Sequence, residues 1–333
     1  MIGAAIDIGT NTFRLLVARA GNEGVEPLVR ELVPVRLGEG LGRDRRLAAA
    51  AKCRAMATLV RFRDILKDCA PDTLRVCATQ ALRQAADGPA WIEEVGTRLG
   101  IDIQVVSSRE EALLGLAGAL AGALAGGAMA SPLPGPLLLV DVGGGSTEMV
   151  LAVDPDHPFS PANRVAGAEL GAVGLTERFL PSAHAAAAGM AEAIAALSGH
   201  IEAGLAAACQ GFDRPPDREN LAILAIGGTA TALAALHLGL DRYDGKQVHG
   251  HDLRVADLDR MWERLRGLDP AQRNLLPGLG QGRGEIILAG LRIYQMLLAR
   301  LAAPLMRVSD TGLLEGILLS ALAAAWPGRP TPT

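Results

Sequence analysis

The residues best suited to chemistry lie in two short segments that repeat one pattern. Each segment has an apolar run, an Asp-x-Gly sequence, a turn rich in hydroxyl groups and a second apolar run. The first spans residues 5–17 around Asp7, and the second spans residues 139–151, where Asp141 and Glu148 bracket three glycines. The pattern predicts two hairpins whose tips expose backbone N–H groups, because glycine lets another group approach the backbone closely. Fixed N–H donors beside hydroxyl groups suit the oxygens of a phosphate.

The tips therefore supply candidate phosphate ligands. They are Thr10 and Asn11 in the first tip, and Gly143, Gly144, Gly145, Ser146 and Thr147 in the second. A carboxylate repels phosphate, so Asp7 and Asp141 would act through a hydrated Mg²⁺ ion or a water molecule. Two facing tips would clamp a phosphate chain from both sides. The alternative is an ordinary tight hairpin, for which three successive glycines are more than is needed.

Composition and charge narrow the function. The chain has 333 residues, of which 50% are apolar and 3% aromatic, and its net charge is −4. This length allows two domains with aliphatic cores. The sequence lacks the basic face that is typical of a nucleic-acid-binding protein. A polyanionic substrate would need a local basic patch, for which Arg43, Arg45 and Arg46 or the arginines between residues 254 and 266 are candidates. Either series is also typical of a solvated surface.

Cysteine usage and hydropathy indicate where the protein acts. The four cysteines form no C-x-x-C pair, which favours a reduced, cytoplasmic protein without a zinc cluster. We expect no signal peptide, because the N-terminus enters a strand without a preceding basic segment. The apolar stretch Ala112–Ser131 is rich in Ala and Gly, which favours a buried helix over a membrane span.

Alternating patterns predict strands and helices in both halves of the chain. Apolar spacing predicts a helix over 47–70, and Pro89 and Gly100 bound a helix over 88–99. A helix that starts at Ser107 or Ser108 contains an S-x-x-E capping box formed by Ser108 and Glu111. Further strands are predicted over 74–79, 101–106, 164–169 and 221–226. Helices dominate after residue 229, and residues 126–136 form a linker between two α/β halves.

Nine motifs follow one another in an order that resembles one protein family. They are I-D-I-G-T-N-T-F-R (6–14), A-T-Q-A-L-R-Q-A (78–85), V-S-S-R-E-E-A (106–112), D-V-G-G-G-S-T-E (141–148), L-G-A-V-G-L-T-E-R (170–178), I-G-G-T-A-T (226–231), V-H-G (248–250), P-G-L (277–279) and V-S-D-T-G-L-L-E-G (308–316). Over nearly its whole length the chain resembles the exopolyphosphatase/guanosine pentaphosphate phosphatase (Ppx/GppA) family. Its length is similar to that of the short form, which lacks extra C-terminal helical domains.

The resemblance implies a fold and an activity. The fold is α/β, with two actin-like domains of the sugar kinase–Hsp70–actin superfamily and an interdomain cleft. Domain I would comprise residues 1–125 and about 308–333, and domain II residues 126–307. The implied activity is Mg²⁺-dependent removal of a terminal phosphate from inorganic polyphosphate or guanosine pentaphosphate (pppGpp). A homodimer is also implied, with neither nucleic acid nor a membrane as a partner.

The resemblance also assigns roles to the carboxylates. Glu111 matches the family's catalytic glutamate, which would orient or deprotonate the attacking water. Its alternative role is helix capping, and Glu110 is the neighbouring candidate. Asp141 and Glu148 match positions linked to Mg²⁺ and the attacking water, and Asp7 is the equivalent metal-binding residue of the first tip.

Two arginines and one loop complete the expected site. Arg83 matches an arginine that meets the phosphate chain, and its guanidinium fork suits phosphate oxygens, although a solvated arginine is the alternative. Arg14 is a further candidate that could lie on the far face of its hairpin. Gly228 and Thr229 match a loop that holds adenosine in kinase relatives; the alternative is a turn in which Thr229 is the N-cap. His249 and His251 form H-x-H, a metal pair that lacks a third ligand.

These observations favour a Mg²⁺-dependent exopolyphosphatase, with a pppGpp phosphohydrolase as the nearest alternative. An actin-like kinase or ATPase would leave Glu111 without a role, and a non-catalytic polyphosphate or alarmone sensor would not need the carboxylates. Two residues depart from the family pattern: Ser108 stands where Gly is usual, and Leu314 where Arg is usual. The second change removes a charge expected near the site.

Overall fold

The computed structural model describes residues 1–21, 24–124, 136–180, 187–212, 221–280 and 282–325. The chain divides into two compact units. Unit 1 comprises Met1–Ala121 and Gly312–Thr333, and unit 2 comprises Gly122–Thr311. Each end of the chain therefore belongs to unit 1, and unit 2 is formed by the continuous segment between them.

Unit 1 is built on a mixed sheet within the described residues. Its strands are β1 (Ile2–Ile8), β2 (Thr12–Gly21), β3 (Gly24–Pro34), β4 (Thr73–Ala78) and β5 (Gln104–Val105). They lie in the order β3-β2-β1-β4-β5, with β1 antiparallel to β2 and parallel to β4. Its helices are α1 (Leu41–Asp44), α2 (Ala49–Cys69), α3 (Gln80–Gln84), α4 (Gly88–Leu99), most of α5 (Ser108–Leu124), and α13 (Leu313–Ala325).

Helices cover both faces of this sheet, because alternate residues of a strand point to opposite sides. On one face Ile6 and Ile8 pack with Phe62 of α2 and Trp91 of α4. On the other face Ala5 belongs to a cluster formed with α5 and α13. The C-terminal helix therefore packs on the central strands, where apolar burial is the main stabilising term.

Unit 2 contains the second sheet. Its strands are β6 (Leu137–Val142), β7 (Thr147–Ala152), β8 (Arg164–Ala168), β9 (Ala222–Ile226), β10 (Asp252–Arg254) and β11 (Leu305–Val308). They lie in the order β10-β11-β9-β6-β7-β8. Its helices are α6 (Ala172–Phe179), α7 (Ala187–Ala208), α8 (Gly227–Leu238), α9 (Gly245–Val248), α10 (Val255–Arg266), α11 (Pro270–Asn274) and α12 (Ile287–Leu301), with a 3-10 turn at Cys209–Gly211.

The two sheets share one topology. Read from its other edge, the sheet of unit 2 runs β8-β7-β6-β9-β11, which matches β3-β2-β1-β4-β5 strand for strand. In both, an antiparallel hairpin is followed by a strand parallel to the first strand of the hairpin. Strand β10 adds an antiparallel edge. This repeat confirms the predicted fold class of two actin-like α/β domains.

Most predicted elements lie close to their observed positions. The helix expected over 88–99 has those bounds, whereas the one expected over 47–70 begins at Ala49 and ends at Cys69. The strand expected over 101–106 shortens to Gln104–Val105, and β10 and β11 occur in the region after residue 229 where helices were expected to dominate.

The apolar stretch Ala112–Ser131 is helical as far as Leu124. Residues 125–131 and most of the expected linker at 126–136 lie outside the described residues. Across the described parts of the chain, no helix combines the length and the apolar character needed to cross a bilayer.

Candidate active site

The first tip is a tight turn at the end of β1. Gly9 N–H donates to the Thr12 carbonyl at 3.2 Å, and a Cβ on Gly9 would lie 2.8 Å from that oxygen. Thr10 is largely buried, and its carbonyl accepts the N–H of Gly38 at 2.9 Å. Asn11 is half-buried. The tip therefore presents Asn11 more openly than Thr10.

Asp7 and Arg14 form an ion pair beside this tip. They are cross-strand neighbours on β1 and β2, and Arg14 Nε and Nη2 lie 2.7 and 2.5 Å from Asp7 Oδ2. Arg14 thus lies on the same sheet face as Asp7, not on the far face. The Asp7 side chain is 2% exposed, and its Oδ1 has no hydrogen-bond partner among the described residues. A buried carboxylate oxygen of this kind is suited to a bound water or a hydrated cation.

Helix α5 places Glu111 at its fourth position, four residues beyond the capping residue. Ser107, not Ser108, caps the helix: its Oγ accepts the Glu110 N–H at 3.1 Å, and its carbonyl accepts the Glu111 N–H at 2.8 Å. The predicted capping box of Ser108 and Glu111 is therefore wrong. Glu110 occupies the third helical position, where a capping-box acid is found, so the Glu111 carboxylate is not needed for capping.

Arg83 holds the Glu111 carboxylate. Its Nη1 lies 2.7 Å from Glu111 Oε2 and also donates to the Val106 carbonyl at 2.9 Å. The Arg83 side chain is 19% exposed, so it is not the solvated arginine of the alternative reading. Glu110 instead pairs with Arg75 at 2.6 Å. The two adjacent glutamates therefore have different partners, and only Glu111 is joined to a candidate phosphate-binding arginine.

Cys77 lies near the carboxylates of Asp7, Glu110 and Glu111 in unit 1. It is the parallel neighbour of Asp7 on β4. Burial raises the pKa of the Cys77 thiol to about 12, and the negative charges of Asp7, Glu110 and Glu111 act in the same direction. The thiol is therefore neutral, and it adds no charge to the surface that these carboxylates form.

The second tip has an inner and an outer part. Asp141 and Glu148 are cross-strand neighbours on β6 and β7. Ser146 Oγ donates to Glu148 Oε1 at 2.6 Å, and the Glu148 residue is 2% exposed. Thr147 is fully buried and donates its hydroxyl to the Leu170 carbonyl at 2.6 Å. The Thr147 hydroxyl proton is therefore already used in a bond within the protein. Residues 143–145 are half-exposed and form the outer part of the tip.

Helix α6 orients the glycine tip. The N–H groups of Ala172 and Val173 donate to the carbonyls of Gly143 and Gly144 at 3.0 and 2.8 Å. In a trans peptide the carbonyl and the following N–H point in opposite directions. The N–H groups of Gly144 and Gly145 therefore point away from α6. Two successive donors with the same orientation form the kind of concavity that binds an anion.

Gly171 makes this docking possible. A Cβ on Gly171 would lie 2.1 Å from the Gly145 carbonyl carbon and 2.4 Å from the Gly144 oxygen. These are backbone atoms, so they cannot move aside as the end of a flexible side chain can. Any side chain at this position would separate α6 from the tip.

The start of α8 packs against Asp141. Gly227 has φ +81°, and a Cβ there would lie 2.2 Å from Asp141 Oδ1. Thr229 donates its hydroxyl to the Val142 carbonyl at 2.7 Å, and the N-cap position is Ile226. The alternative in which Thr229 caps the helix is therefore wrong, because its hydroxyl ties α8 to β6. Gly228 is exposed.

The model of the Ppx/GppA phosphatase family matches residues 16–325. This chain belongs to the Ppx/GppA phosphatase family. The resemblance seen in the nine motifs is therefore confirmed, and the protein is an enzyme that hydrolyses phosphoanhydride bonds.

Individual relatives share almost the full length of the chain. Exopolyphosphatase 2 of Mycobacterium tuberculosis is 29% identical over 330 residues, which cover 95% of this chain and 97% of that protein. An exopolyphosphatase-like protein of known crystal structure is 28% identical, with a TM-score of 0.82 over 96% of this chain and 98% of the other. The Aquifex aeolicus member of the Ppx/GppA family is 25% identical, with a TM-score of 0.76 over 98% and 99%.

The two departures from the family pattern have structural settings. Leu314 is 1% exposed in the apolar cluster under α13, where a leucine packs without a charge to satisfy. Ser108 begins α5, and the neighbouring Ser107 supplies the cap. The predicted metal pair His249 and His251 has separate partners. His249 Nδ1 accepts the Asp310 N–H, while His251 contacts His237, so the two imidazoles do not point to one metal position.

Three residues near the carboxylates were missing from the predicted site. Gly171 supports the second tip, Gly227 makes room for Asp141, and Arg283 donates to the Gly228 carbonyl at 2.9 Å. The glycines lie within quoted motifs, and a glycine directly after a strand is a signal for close backbone approach. No comparable local signal exists for Arg283, which lies 55 residues from its acceptor.

The carboxylates fit a Mg²⁺ ion that keeps most of its water. Within the described residues, no three His, Cys, Asp or Glu side chains converge on a point where they would hold an ion alone. Mg²⁺ commonly binds through one or two carboxylates plus water and substrate phosphates, and it needs no such cluster. In unit 1 the Asp7 Oδ1 atom is suited to this mode of binding, and in unit 2 so are the carboxylates of Asp141 and Glu148.

Proposed function

We propose that this enzyme is an exopolyphosphatase that releases the terminal phosphate of inorganic polyphosphate by attack of water, with Mg²⁺ as cofactor. The observation that carries the proposal is the orientation of the Gly144 and Gly145 N–H groups, which suits a phosphate at the glycine tip. Similarity to Exopolyphosphatase 2 along the whole chain supports polyphosphate as the substrate.

In this proposal each residue has one task. The N–H groups of Gly144 and Gly145 hold oxygens of the terminal phosphate, and Asn11 and Thr10 hold further oxygens. Glu111, oriented by Arg83, accepts the proton of the attacking water as its oxygen bonds to the terminal phosphorus. The bridging P–O bond breaks, and its electron pair leaves with the shortened chain. Most of the catalysis comes from positioning and electrostatics, as in other phosphoryl transfers.

Asp141, Glu148 and Asp7 are the proposed ligands of the hydrated ion. When bound, Mg²⁺ would offset the negative charge that develops on the phosphate oxygens. Arg14 keeps Asp7 in place through the ion pair at 2.5 Å. Ser146 does the same for Glu148 through its hydroxyl.

The test is phosphate release with Mg²⁺ from long-chain polyphosphate, tripolyphosphate, pppGpp and ATP at matched concentrations. The proposal predicts that polyphosphate is hydrolysed with the highest kcat/KM. A higher kcat/KM for pppGpp would replace polyphosphate by the guanosine compound as the substrate of the same site. Turnover of ATP alone would contradict the proposal.

Location and assembly are further parts of the proposal. Cys53, Cys69, Cys77 and Cys209 are all free thiols, which supports a reducing, cytoplasmic setting. A homodimer is proposed from the family resemblance, and sedimentation of the purified protein at micromolar concentration tests it. A single monomeric species there would contradict it.

A further inference from the structure

A basic loop between β3 and α2 contacts both the first tip and the residues after α3, the helix that bears Arg83. This loop comprises residues 36–46, and we refer to it as the 36–46 loop. It contains Arg36, Arg43, Arg45 and Arg46 against Glu39 and Asp44. The whole protein has a net charge of −4, whereas this loop has more positive than negative side chains. The loop therefore attracts anions locally although the protein as a whole does not.

The loop is anchored on the first tip at one end. The N–H groups of Val35 and Arg36 both donate to the Asn11 carbonyl, at 3.0 and 2.8 Å. Gly38 N–H donates to the Thr10 carbonyl at 2.9 Å. The loop therefore begins in direct contact with the residues proposed to bind phosphate.

Its other end is anchored just after α3, the helix that bears Arg83. Ala86 N–H donates to the Arg45 carbonyl at 2.9 Å, and Leu47 N–H donates to Asp87 Oδ1 at 3.0 Å. Arg45 and Arg46 thus lie on a backbone that is held on both sides. Arg45 also has φ +51°, a conformation in which glycine would be less strained.

Local acids are already neutralised by other partners. Glu39 pairs with Arg54 at 2.6 Å, Asp44 with Arg43 at 3.0 Å, and Asp87 with Lys52 at 2.6 Å. Arg45 and Arg46 are exposed, and neither has an ion-pair partner within the described part of the chain. Two positive charges therefore remain available to an external anion.

We propose that Arg45 and Arg46 bind phosphates of the polyphosphate chain beyond its reacting end, so that the 36–46 loop favours long chains over short ones. The inference rests on the proposed function and adds a chain-length determinant to it. A chain whose end is held near Thr10 and Asn11 has a direct path along the loop. Guanidinium groups suit phosphate oxygens, and attraction between exposed charges and a polyanion falls as salt rises.

The test compares R45A/R46A with wild type for binding of long-chain polyphosphate and of tripolyphosphate, by calorimetry at low salt. We expect the Kd for the long chain to rise about tenfold and the Kd for tripolyphosphate to change less than about twofold. R45K/R46K keeps the charge and should bind the long chain within about threefold of wild type. R19A/R98A removes the same charge from exposed positions on β2 and α4 and should match wild type.

Hydrolysis of the same two substrates separates this inference from the proposed function. Long-chain binding that depends on Arg45 and Arg46, without phosphate release by wild type, would refute the exopolyphosphatase proposal and leave the loop assignment standing. Release of phosphate with an unchanged Kd for the long chain in R45A/R46A would refute the loop assignment alone. An equal rise in Kd for both substrates, or an equal loss in R19A/R98A, would also overturn it.

Discussion

Gly227→Ala tests whether the position of the Asp141 carboxylate controls the reaction. The new Cβ would lie 2.2 Å from Asp141 Oδ1, whereas ordinary contact begins at 3.4 Å, so the carboxylate must retreat by about 1 Å. A displacement of that size at a reacting centre costs about 100-fold in rate. Alanine at φ +81° also costs about 1–2 kcal/mol of folding free energy.

Gly239→Ala is the matched control for this substitution. Gly239 ends the same helix with φ +65° and has no neighbouring atom within 4 Å of an added Cβ. It should lose about 1 kcal/mol of stability and keep kcat/KM within about twofold of wild type. The assay is Mg²⁺-dependent phosphate release, with urea denaturation to measure stability.

A double-mutant cycle isolates the carboxylate. In an Asp141→Ala background the atom that Gly227→Ala displaces is absent, so the second substitution should reduce kcat/KM by less than about threefold further. If Gly227→Ala keeps the wild-type kcat/KM, or if its effect is equally large in the Asp141→Ala background, the position of the Asp141 carboxylate does not control the reaction.

Three further predictions follow from the packing and charges of unit 2. Gly171→Ala should lower the free energy of unfolding by about 2–3 kcal/mol, because its Cβ meets the backbone of the glycine tip. Gly174→Ala is the control, because an added Cβ has open space there, and it should not lower the free energy of unfolding in this way. Equal urea midpoints for the two variants would contradict this prediction. Burial and the adjacent His237 lower the pKa of His251, so the unfolded chain binds this proton first as the pH falls and stability is lost below about pH 6.5. His251→Gln should therefore lose less stability than wild type between pH 7.5 and 5.5 in urea denaturation, and an equal loss would show that this imidazole is not responsible. Chelation of Mg²⁺ should abolish phosphate release. Asp141→Asn should raise the Mg²⁺ concentration needed for half-maximal activity about tenfold. An unchanged Mg²⁺ titration in this variant would exclude Asp141 as a ligand.

Elements with strong local signals were predictable from the sequence. The helix over 88–99 has proline in its first turn and ends before Gly100, which adopts φ +69°, so its bounds were correct. The two hairpins were predictable because apolar runs flank an Asp-x-Gly turn. Strands β10 and β11 were missed because three or four residues are too few to show an alternating pattern. Their position in the sheet is set by pairing with distant strands.

The candidate site shows the same division between local and distant information. Motifs identified Glu111, Asp7 and the glycine tip, but capping was assigned to Ser108 because two adjacent serines satisfy the same spacing pattern. The pairing of Arg83 with Glu111 joins residues 28 positions apart and depends on how α3 and α5 pack. The position of Arg14 on the Asp7 face follows from strand register, which periodicity alone does not provide.

In the proposed mechanism Glu111 activates the attacking water. Glu111→Gln keeps the size of the side chain and a hydrogen bond to Arg83 but removes the base, and Glu110→Gln is the matched control on the next residue. The direct measurement is phosphate release from polyphosphate by both variants, together with the Kd for the same substrate. We expect a loss of about 100-fold or more in kcat for Glu111→Gln with Kd within about threefold of wild type, and near-wild-type values for Glu110→Gln. A Glu111→Gln variant with the wild-type kcat would show that Glu111 is not the base.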